Sequence, residues 1–345
     1  MSGNAPVAVI GAGSWGTALA VHLAGRGPVT LWCRAEDGPE EIARRRENKV
    51  FLPGIGLPGR CEVTGDLAAA LAASDLAVLA VPTQHLEGFL TAHRAAPWPA
   101  GPLVLAGKGI AVASLEFPSQ IAARALGPAL AARLVVLSGP SFAREVVLGE
   151  PTAVVAAAEH EPAAQRVQEV FSHLNLRVYT GPDPLGVQVA AALKNVVAIA
   201  AGVADGLGFG SNALAALITR ALAEISRLGV TLGARRDTFM GLAGLGDLVL
   251  TCTGGLSRNR QVGQALGRGH SLDEILGGMR MVAEGVETCR AARALGARHG
   301  VAMPIVEQVH AILFEGKDPR GALAELLARP LRAEPEDGTH PGRTP

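Results

Sequence analysis

The sequence predicts an α/β fold for the first half of the chain and an all-helical fold for the second half. Short apolar strands alternate with Ala- and Leu-rich stretches of helical length as far as Tyr179. Strands that are apolar throughout and bounded by turn residues are typical of a parallel sheet covered on both faces. The segment Thr180–Pro184, rich in Gly and Pro, predicts a turn that separates the two halves. Beyond it, apolar residues recur at helical spacing.

Length, charge and cysteine content limit the class of protein. A chain of 345 residues usually holds two domains and can bury a large core. Its formal net charge of zero gives no global basic field, so nucleic-acid binding is not expected and an anionic ligand must be held by local residues. The cysteines (Cys33, Cys61, Cys252 and Cys289) lack the spacing of a disulfide framework or zinc site, which indicates a reduced, cytoplasmic protein.

The apolar N-terminus does not predict export or membrane insertion. It lacks a basic region and is interrupted by glycines, unlike a signal peptide. We expect no apolar run in the chain to be long enough to span a membrane. No cluster of ligand residues predicts a metal site.

Seven strands are predicted in the first half, and the later ones can extend the sheet in mixed order. They are Val7–Ile10, Val29–Trp32, Leu76–Val81, Leu103–Leu105, Leu134–Leu137, Ala153–Ala156 and Arg177–Tyr179. The stretches of helical length between several of them supply the helices that would cover the sheet.

A glycine-rich turn follows the first predicted strand. Gly11, Gly13 and Gly16 form a G-x-G-x-x-G pattern between this strand and a helix-like segment, the context that a dinucleotide-binding turn requires. The first glycine allows a sharp turn, the second a close approach to a pyrophosphate, and the third helix packing against the strand. Ordinary tight turns use the same residues, but the position after the first strand favours a Rossmann-type dinucleotide-binding domain, placed at residues 1–184.

The second half is predicted to be an all-helical domain over residues 185–331. Its apolar residues at helical spacing include Leu214, Leu217, Ile218, Ala221, Leu222, Ile225 and Leu228. The remaining stretch, 332–345, is polar and Pro-rich, which predicts disorder.

Lysine is rare in this chain, and two of its lysines lie in unusual settings. Of 31 basic residues only Lys49, Lys108, Lys194 and Lys317 are lysines. Lys108 follows a predicted strand in a Gly-rich segment, and Lys194 lies among small apolar residues of a helical pattern. Because a desolvated lysine can lose its proton, both are candidate catalytic groups. The alternative is a lysine whose apolar stem is buried and whose ammonium reaches water.

Two further segments carry candidate site residues. Asp247 is a lone carboxylate among apolar and glycine residues, and a buried carboxylate needs a partner such as a lysine. Downstream, Ser257 is a predicted N-cap that places Arg258 and Asn259 in the first helical turn. An anion bound there would offset the unfavourable position of the arginine at a helix start. The alternatives are a structural ion pair or cap for the aspartate and a solvated polar turn for the second segment.

Several blocks of the sequence resemble bacterial NAD(P)-dependent glycerol-3-phosphate dehydrogenases. The blocks are Gly11–Ala20, Leu137–Glu145, Gly186–Gly210, Thr219–Gly229 and Phe239–Arg260, and the similarity extends to about Leu331. Leu193–Val196, Gly244–Leu248 and Ser257–Asn259 are the most specific parts. The resemblance implies reversible hydride transfer between NAD(P)H and dihydroxyacetone phosphate, giving sn-glycerol 3-phosphate for glycerophospholipid synthesis.

The resemblance also implies roles for individual residues. Lys194 matches the proton donor and acceptor. The chemistry of ketone reduction makes Lys108 and Asp247 its expected catalytic neighbours, because Lys108 can add positive charge and Asp247 can orient Lys194 and keep it charged. Substrate contacts are implied for Lys108, Gly139, Ser141, Lys194, Asp247, Ser257, Arg258 and Asn259. Cofactor contacts are implied for Ser14, Trp15, Arg34, Lys108, Ala143, Arg258, Val282 and Glu284, in addition to Gly11, Gly13 and Gly16. The family more often has threonine at the position of Ser141, which keeps the hydroxyl.

Cofactor choice depends on the residues after the second predicted strand. Arg34 is the first polar residue there, and a guanidinium would attract the 2′-phosphate of NADPH. Glu36 and Asp37 follow closely and could bind the ribose 2′-hydroxyl of NADH instead. We expect both cofactors to be used, with NADPH favoured.

Two other functions stay open at this point. A dehydrogenase of the same architecture could act on a different hydroxy acid or phosphorylated carbonyl, because fold does not determine function. A nucleotide sensor without enzymatic activity would have no use for a desolvated Lys194 and Asp247. The sequence leaves the oligomeric state open, with a homodimer as one possibility.

Overall fold

The computed structural model describes residues 6–279 and 283–330. Within them, eight strands form one sheet: β1 (Val7–Ile10), β2 (Val29–Trp32), β3 (Cys61–Thr64), β4 (Leu76–Leu79), β5 (Leu103–Leu105), β6 (Leu134–Ser138), β7 (Thr152–Ala157) and β8 (Leu176–Gly181). The predicted stretch 332–345 and the candidate residue Val282 lie outside the described residues.

The sheet has the strand order of a doubly wound fold. The order is β3-β2-β1-β4-β5-β6-β7-β8, and every neighbouring pair is parallel except β6 and β7. The first six strands follow the order of a Rossmann fold, whose direction reverses between β1 and β4. The crevice at the carboxyl ends of these two strands is therefore the expected place for a ligand.

The sequence predicted seven of these strands and missed one. All seven predicted runs overlap strands of the sheet, and the antiparallel β6–β7 pair confirms the mixed order expected for the later strands. The missed strand is β3, whose residues after Cys61 are at most partly buried. It pairs only with β2 at the edge of the sheet, so it lacks the continuous apolar pattern that identifies a central strand.

Sixteen α-helices cover the sheet and build the second half within the described residues. They are α1 (Ser14–Ala24), α2 (Pro39–Arg45), α3 (Leu67–Ala72), α4 (Thr83–Ala92), α5 (Pro118–Leu126), α6 (Pro128–Ala131), α7 (Ala143–Val147), α8 (Glu161–Phe171), α9 (Pro184–Gly206), α10 (Ser211–Thr231), α11 (Asp247–Thr253), α12 (Arg258–Gly267), α13 (Leu272–Gly277), α14 (Glu284–Arg298), α15 (Pro304–Phe314) and α16 (Pro319–Leu327). Short 3₁₀ turns at Ala35–Asp37 and Arg236–Met240, and a π-helical turn at Leu242–Gly246, complete the helical elements.

Helix α9 is the central helix of the second half. It begins at a side-chain cap, because Asp183 accepts a hydrogen bond from the backbone N–H of Gly186 at 2.8 Å. The helix is long and apolar enough to cross a membrane by length and composition, so the expectation that no such run exists was wrong. Its most apolar window is 89% buried inside the protein, which explains the high hydropathy as that of a core helix.

Helices α9 and α12 cross at very short distance because glycines line both. A Cβ added at Gly202 would overlap the carbonyl oxygen of Arg260, and one added at Gly263 would overlap that of Ile199. Gly206 and Gly267 extend the same close contact by one turn. This crossing fixes the N-terminus of α12, which carries Arg258, relative to the middle of α9, which carries Lys194.

Candidate active site

A cleft of about 340 Å³ lies at the carboxyl edge of the sheet and is closed on its other side by the second half of the chain. Eleven of the predicted site residues line it: Ser14, Trp15, Lys108, Ser141, Ala143, Lys194, Asp247, Ser257, Arg258, Asn259 and Glu284. The structure therefore brings together residues that are up to 270 positions apart in the sequence, from Ser14 to Glu284.

The glycine turn has the backbone geometry that the sequence predicts. Gly11 has a φ of +110°, and a Cβ there would lie 2.7 Å from the carbonyl oxygen of Ala80. Gly16 packs directly on the backbone of Gly11, so a side chain would overlap its carbonyl oxygen. Gly13 faces open space, which leaves the start of α1 accessible to a ligand.

This end of the cleft fits a dinucleotide. The indole Nε1 of Trp15 is buried and has no hydrogen-bond partner among the described residues, although Trp15 lines the cleft. A buried donor without a partner costs about 1–3 kcal/mol, so an acceptor bound in the cleft would stabilise the protein. The open glycine turn and this donor together support a phosphate- and hydroxyl-rich ligand here.

A segment between α2 and β3 folds over the cleft, and sequence reasoning missed it. The hydroxyl of Ser14 donates to the carbonyl of Phe51 at 2.7 Å, and Arg144 donates to the carbonyl of Pro53 at 3.0 Å. Asn48 anchors the base of the segment, because its Nδ2 donates to the carbonyl of Ala12 at 2.7 Å. The segment therefore joins the glycine turn to α7 across the cleft.

At the floor of the cleft, two lysines form salt bridges with the same carboxylate. Lys194 Nζ donates to Asp247 Oδ1 at 2.7 Å, and Lys108 Nζ donates to Oδ2 of the same residue at 2.9 Å. Thr251 Oγ1 accepts a further hydrogen bond from Lys194 at 2.8 Å. The carboxylate side chain is 1% exposed and that of Lys194 is 8% exposed, whereas that of Lys108 is 15% exposed.

Three separate elements position this cluster. Lys108 follows β5 in a loop at the carboxyl edge of the sheet, and Lys194 lies near the middle of α9. Asp247 is the first residue of α11, directly after the π-helical turn, where a negative charge is favoured by the helix dipole. Thr251 lies one turn later on the same face of α11, which is why it reaches the same ammonium.

Burial and the neighbouring charges shift the pKa values of the cluster. Burial is the main cause that lowers the pKa of Lys194 to about 8; Asp247 opposes this shift and Lys108 adds to it. Burial raises the pKa of Asp247, but the two ammonium groups outweigh it and hold that pKa below its usual value. The cluster therefore combines a permanent carboxylate with an ammonium that can release its proton near neutral pH.

A second charged group lies where α12 begins. Ser257 caps the helix by accepting a hydrogen bond from the backbone N–H of Arg260, which confirms the predicted N-cap. Arg258 and Asn259 occupy the first turn, and Asn259 Oδ1 accepts from the backbone N–H of Gly285 at 3.0 Å. That bond ties the start of α12 to the start of α14.

Arg258 and Glu284 carry opposite charges and both line the cleft. Burial lowers the pKa of Arg258 and raises that of Glu284, and each charge partly offsets the shift of the other. The guanidinium therefore lies in a desolvated setting, where an additional anion would be held strongly.

Among the described residues, five predicted site residues do not line the cleft. Gly11, Gly13 and Gly16 act through the backbone turn, and Gly139 has a φ of +151° beside β7. The Ser141 hydroxyl donates to the carbonyl of Gly139 at 3.0 Å, which fixes this loop. Arg34 lies beyond the cleft lining at the end of β2, and Val282 is outside the described residues.

Nine lining residues were not predicted. They are Phe51, Leu52, Pro53, Ala106, Phe142, Arg144, Asn195, Thr251 and Leu256. Thr251 could have been found from its spacing of four residues after Asp247 on a helix. Within the described ranges no cluster of three or more His, Cys, Asp or Glu side chains could hold a metal ion.

A Rossmann-type sheet whose glycine turn opens onto a desolvated lysine defines this molecule as a dinucleotide-dependent oxidoreductase. The models of the NAD-dependent glycerol-3-phosphate dehydrogenase N-terminus and C-terminus match residues 6–164 and 183–324. The chain belongs to the NAD(P)-dependent glycerol-3-phosphate dehydrogenase family. Its cofactor is therefore NAD or NADP.

Individual relatives cover nearly the whole chain. A glycerol-3-phosphate dehydrogenase [NAD(P)+] of Citrifermentans bemidjiense is 52% identical over 95% of this chain and 98% of its own length. One of Geobacillus kaustophilus is 48% identical over 96% of each chain. The crystal structure of glycerol-3-phosphate dehydrogenase from Coxiella burnetii is 38% identical, with a TM-score of 0.89 over 94% of this chain and 99% of that one.

Proposed function

We propose that the protein is an sn-glycerol-3-phosphate dehydrogenase that interconverts dihydroxyacetone phosphate and sn-glycerol 3-phosphate with NADPH or NADH. The observation that carries the proposal is the shared carboxylate: Asp247 holds Lys194 and Lys108 together on the floor of the cleft. Reducing a ketone requires a proton donor and positive charge near the developing alkoxide. These two lysines supply both.

Lys194 is proposed as the proton donor in reduction and the acceptor in oxidation. Two of its three N–H donors are used by Asp247 and Thr251, which orients the ammonium and leaves one donor for the substrate oxygen. Lys108 places a second positive charge beside the same oxygen. Asp247 stays ionised and keeps Lys194 protonated until transfer.

The start of α12 is proposed to bind the substrate phosphate. Arg258 provides the charge, and the unpaired backbone N–H groups of a helix start favour an anion. The proposed substrate contacts are Lys108, Gly139, Ser141, Lys194, Asp247, Ser257, Arg258 and Asn259. With the phosphate held there, the carbonyl carbon of a three-carbon ketone can approach the lysine pair.

The cofactor is proposed to bind across the glycine turn and the cleft. When bound, nicotinamide supplies or accepts the hydride of the reaction. Its proposed contacts are Gly11, Gly13, Ser14, Trp15, Gly16, Arg34, Lys108, Ala143, Arg258, Val282 and Glu284. The guanidinium of Arg34 follows the second strand, so we propose that it favours the 2′-phosphate of NADPH.

We also propose a division of labour between the two halves and a cellular setting for the reaction. Residues 1–184 would bind the dinucleotide, and residues 185–331 would bind the substrate and carry Lys194. The buried free cysteines support a cytoplasmic protein, whose product would feed glycerophospholipid synthesis. A homodimer without membrane insertion or nucleic-acid binding is the proposed form, and light scattering of the purified protein would measure its mass.

An assay with paired substrates tests the proposal. Oxidation of NADPH and NADH is measured with dihydroxyacetone phosphate and with dihydroxyacetone, which lacks the phosphate. The wild type is expected to prefer the phosphorylated ketone strongly. Arg258→Ala should weaken its binding by about 2–5 kcal/mol, typical of removing one partner of a buried charge pair, and should shrink the preference.

Arg268→Ala is the matched control, because Arg268 is exposed at the other end of α12. This variant should behave like the wild type with both ketones. A wild type that reduces neither ketone would contradict the proposed function. An Arg258→Ala variant that keeps the full preference would show that the phosphate binds elsewhere.

A further inference from the structure

The guanidinium that follows β2 is already held by a carboxylate of this chain. Arg34 Nε donates to Asp37 Oδ2 at 3.0 Å, and Nη2 donates to Oδ1 at 2.9 Å. This two-bond geometry matches the fork of a guanidinium to the two oxygens of a carboxylate. The Arg34 side chain is 61% exposed, whereas that of Asp37 is 14% exposed.

The backbone fixes Asp37 in this position. Asp37 ends the 3₁₀ turn at Ala35–Asp37, and its N–H donates to the carbonyl of Arg34 at 3.0 Å. Gly38 follows with a φ of +71°, and Pro39 then begins α2. The carboxylate therefore stays in place while the exposed guanidinium can adjust to a ligand.

The pair lies beside the glycine turn. The N–H of Gly11 donates to the carbonyl of Trp32, the last residue of β2, at 3.0 Å. Arg34 is two residues further along, at the carboxyl edge of the sheet where a dinucleotide's adenosine ribose is expected. A 2′-phosphate in this place meets the carboxylate as well as the guanidinium, whereas a 2′-hydroxyl carries no charge to be repelled.

We propose that Asp37 is a specificity-determining residue that cancels much of the positive charge of Arg34 and thereby keeps NADH usable beside NADPH. This inference rests on the proposed function, specifically on Arg34 lying next to the cofactor's 2′-position. Asp37 occupies two of the five N–H donors of the guanidinium, and three remain for the ligand. Its negative charge weakens binding of the doubly charged 2′-phosphate selectively.

The test is the variant Asp37→Asn, which removes the charge and keeps the size of the side chain. Dissociation constants for NADPH and NADH are measured by fluorescence titration at low ionic strength, independently of turnover. The constant for NADPH should fall about threefold to fivefold, the size of an exposed charge contact, while that for NADH should change less than twofold. The gain should shrink as salt is added.

Glu40→Gln is the matched control. Glu40 is exposed in the first turn of α2, three residues after Asp37, and carries the same charge, and no described hydrogen bond or ion pair joins it to Arg34. Its removal should change NADPH binding less than twofold. A melting temperature within about 2 °C of the wild type would show that each variant is folded.

Two outcomes would overturn the proposal. An unchanged ratio of NADPH to NADH affinity in Asp37→Asn would show that the carboxylate has no influence on selectivity. Weaker NADPH binding would show that Asp37 serves to position the guanidinium. The variant Arg34→Ala tests the proposed cofactor site separately. If it weakens the binding of NADPH and NADH equally, the 2′-phosphate binds elsewhere.

Discussion

Lys194 stays protonated inside an apolar helix because one carboxylate lies 2.7 Å away. Moving an unpaired ammonium into such a setting costs several kcal/mol, so a lysine there requires a partner. Asp247 provides that partner but shares its charge with Lys108. The pKa of the Lys194 ammonium is therefore lowered to about 8, and the carboxylate prevents a larger decrease.

The rate of the chemical step should follow the protonation of Lys194. Reduction requires the ammonium, so its rate should fall as pH rises through about 8. Oxidation requires the neutral amine, so its rate should rise over the same range. Initial rates in both directions between pH 6 and 10, at saturating cofactor, measure the two profiles. Profiles with no opposite trend near this pH would contradict the role of Lys194.

Removing the amine should affect turnover far more than cofactor binding. Lys194→Ala should lower kcat by roughly 10²–10⁴-fold, the range for loss of a positioned acid, and should leave NADPH affinity nearly unchanged. Lys317→Ala is the matched control, because this lysine pairs with Glu325 on α16 far along the chain from the cluster. Near-normal kcat in the first variant would exclude Lys194 as the proton donor.

At the scale of elements, the α9–α12 crossing positions the two charged ends of the site. Lys194 lies on α9 and Arg258 begins α12, so their separation depends on how closely these helices pack. Glycines at the crossing remove the side chains that would hold the backbones apart. A change in packing there would therefore reach the site without altering any residue that lines it.

The variant Gly202→Ala tests whether the packing of α9 against α12 positions the site. The added methyl group would overlap the carbonyl of Arg260, and overpacking of this kind typically costs about 1–3 kcal/mol. We expect a lower urea midpoint of unfolding and a reduced kcat/KM. Gly88→Ala is the control, because Gly88 lies in α4 with nothing within 4 Å of its Cβ position. Activity equal to wild type in the first variant would show that the crossing does not position the site.

The sequence predicts a strand well where burial of apolar side chains is the main reason that the strand forms. β1 is apolar throughout and β2 is apolar except for Thr30, and their predicted bounds agree with the structure. Edge strand β3 was missed because pairing with a single neighbour, rather than burial, makes it a strand. The antiparallel direction of β7 cannot be derived from its apolar pattern, which is the same in either direction.

The site, like the fold, contains residues that the sequence predicts and contacts that it does not. Lys194 and Asp247 were predicted because a charge in an apolar context needs a partner, and they do pair. The covering segment at Phe51–Pro53 was missed because backbone carbonyls make its contacts with Ser14 and Arg144, and a carbonyl carries no sequence signal. The bond between Arg34 and Asp37 likewise depends on the shape of a 3₁₀ turn, which the strand pattern does not reveal.

At the scale of the whole molecule, the two halves share both a core and the cleft. Ile110 and Phe117 come from the first half and pack in the same buried cluster as the residues of α9. The covalent connection into α9 is capped by Asp183, which also accepts a hydrogen bond from Thr238 at 2.6 Å. Neither half can lose its structure without exposing apolar surface of the other, so cooperative unfolding is expected.

Ligand binding should therefore stabilise the protein as one unit. A ligand present at 100 times its dissociation constant stabilises the native state by about 2.7 kcal/mol, which for a chain of this length raises Tm by roughly 4 °C. NADPH should shift a single thermal transition in scanning calorimetry by about that amount, although the glycine turn belongs to the first half alone. Dihydroxyacetone phosphate should add a further shift through Lys194 and Arg258, and dihydroxyacetone much less. Two resolved transitions, of which NADPH moves only one, would show that the shared core does not couple the halves.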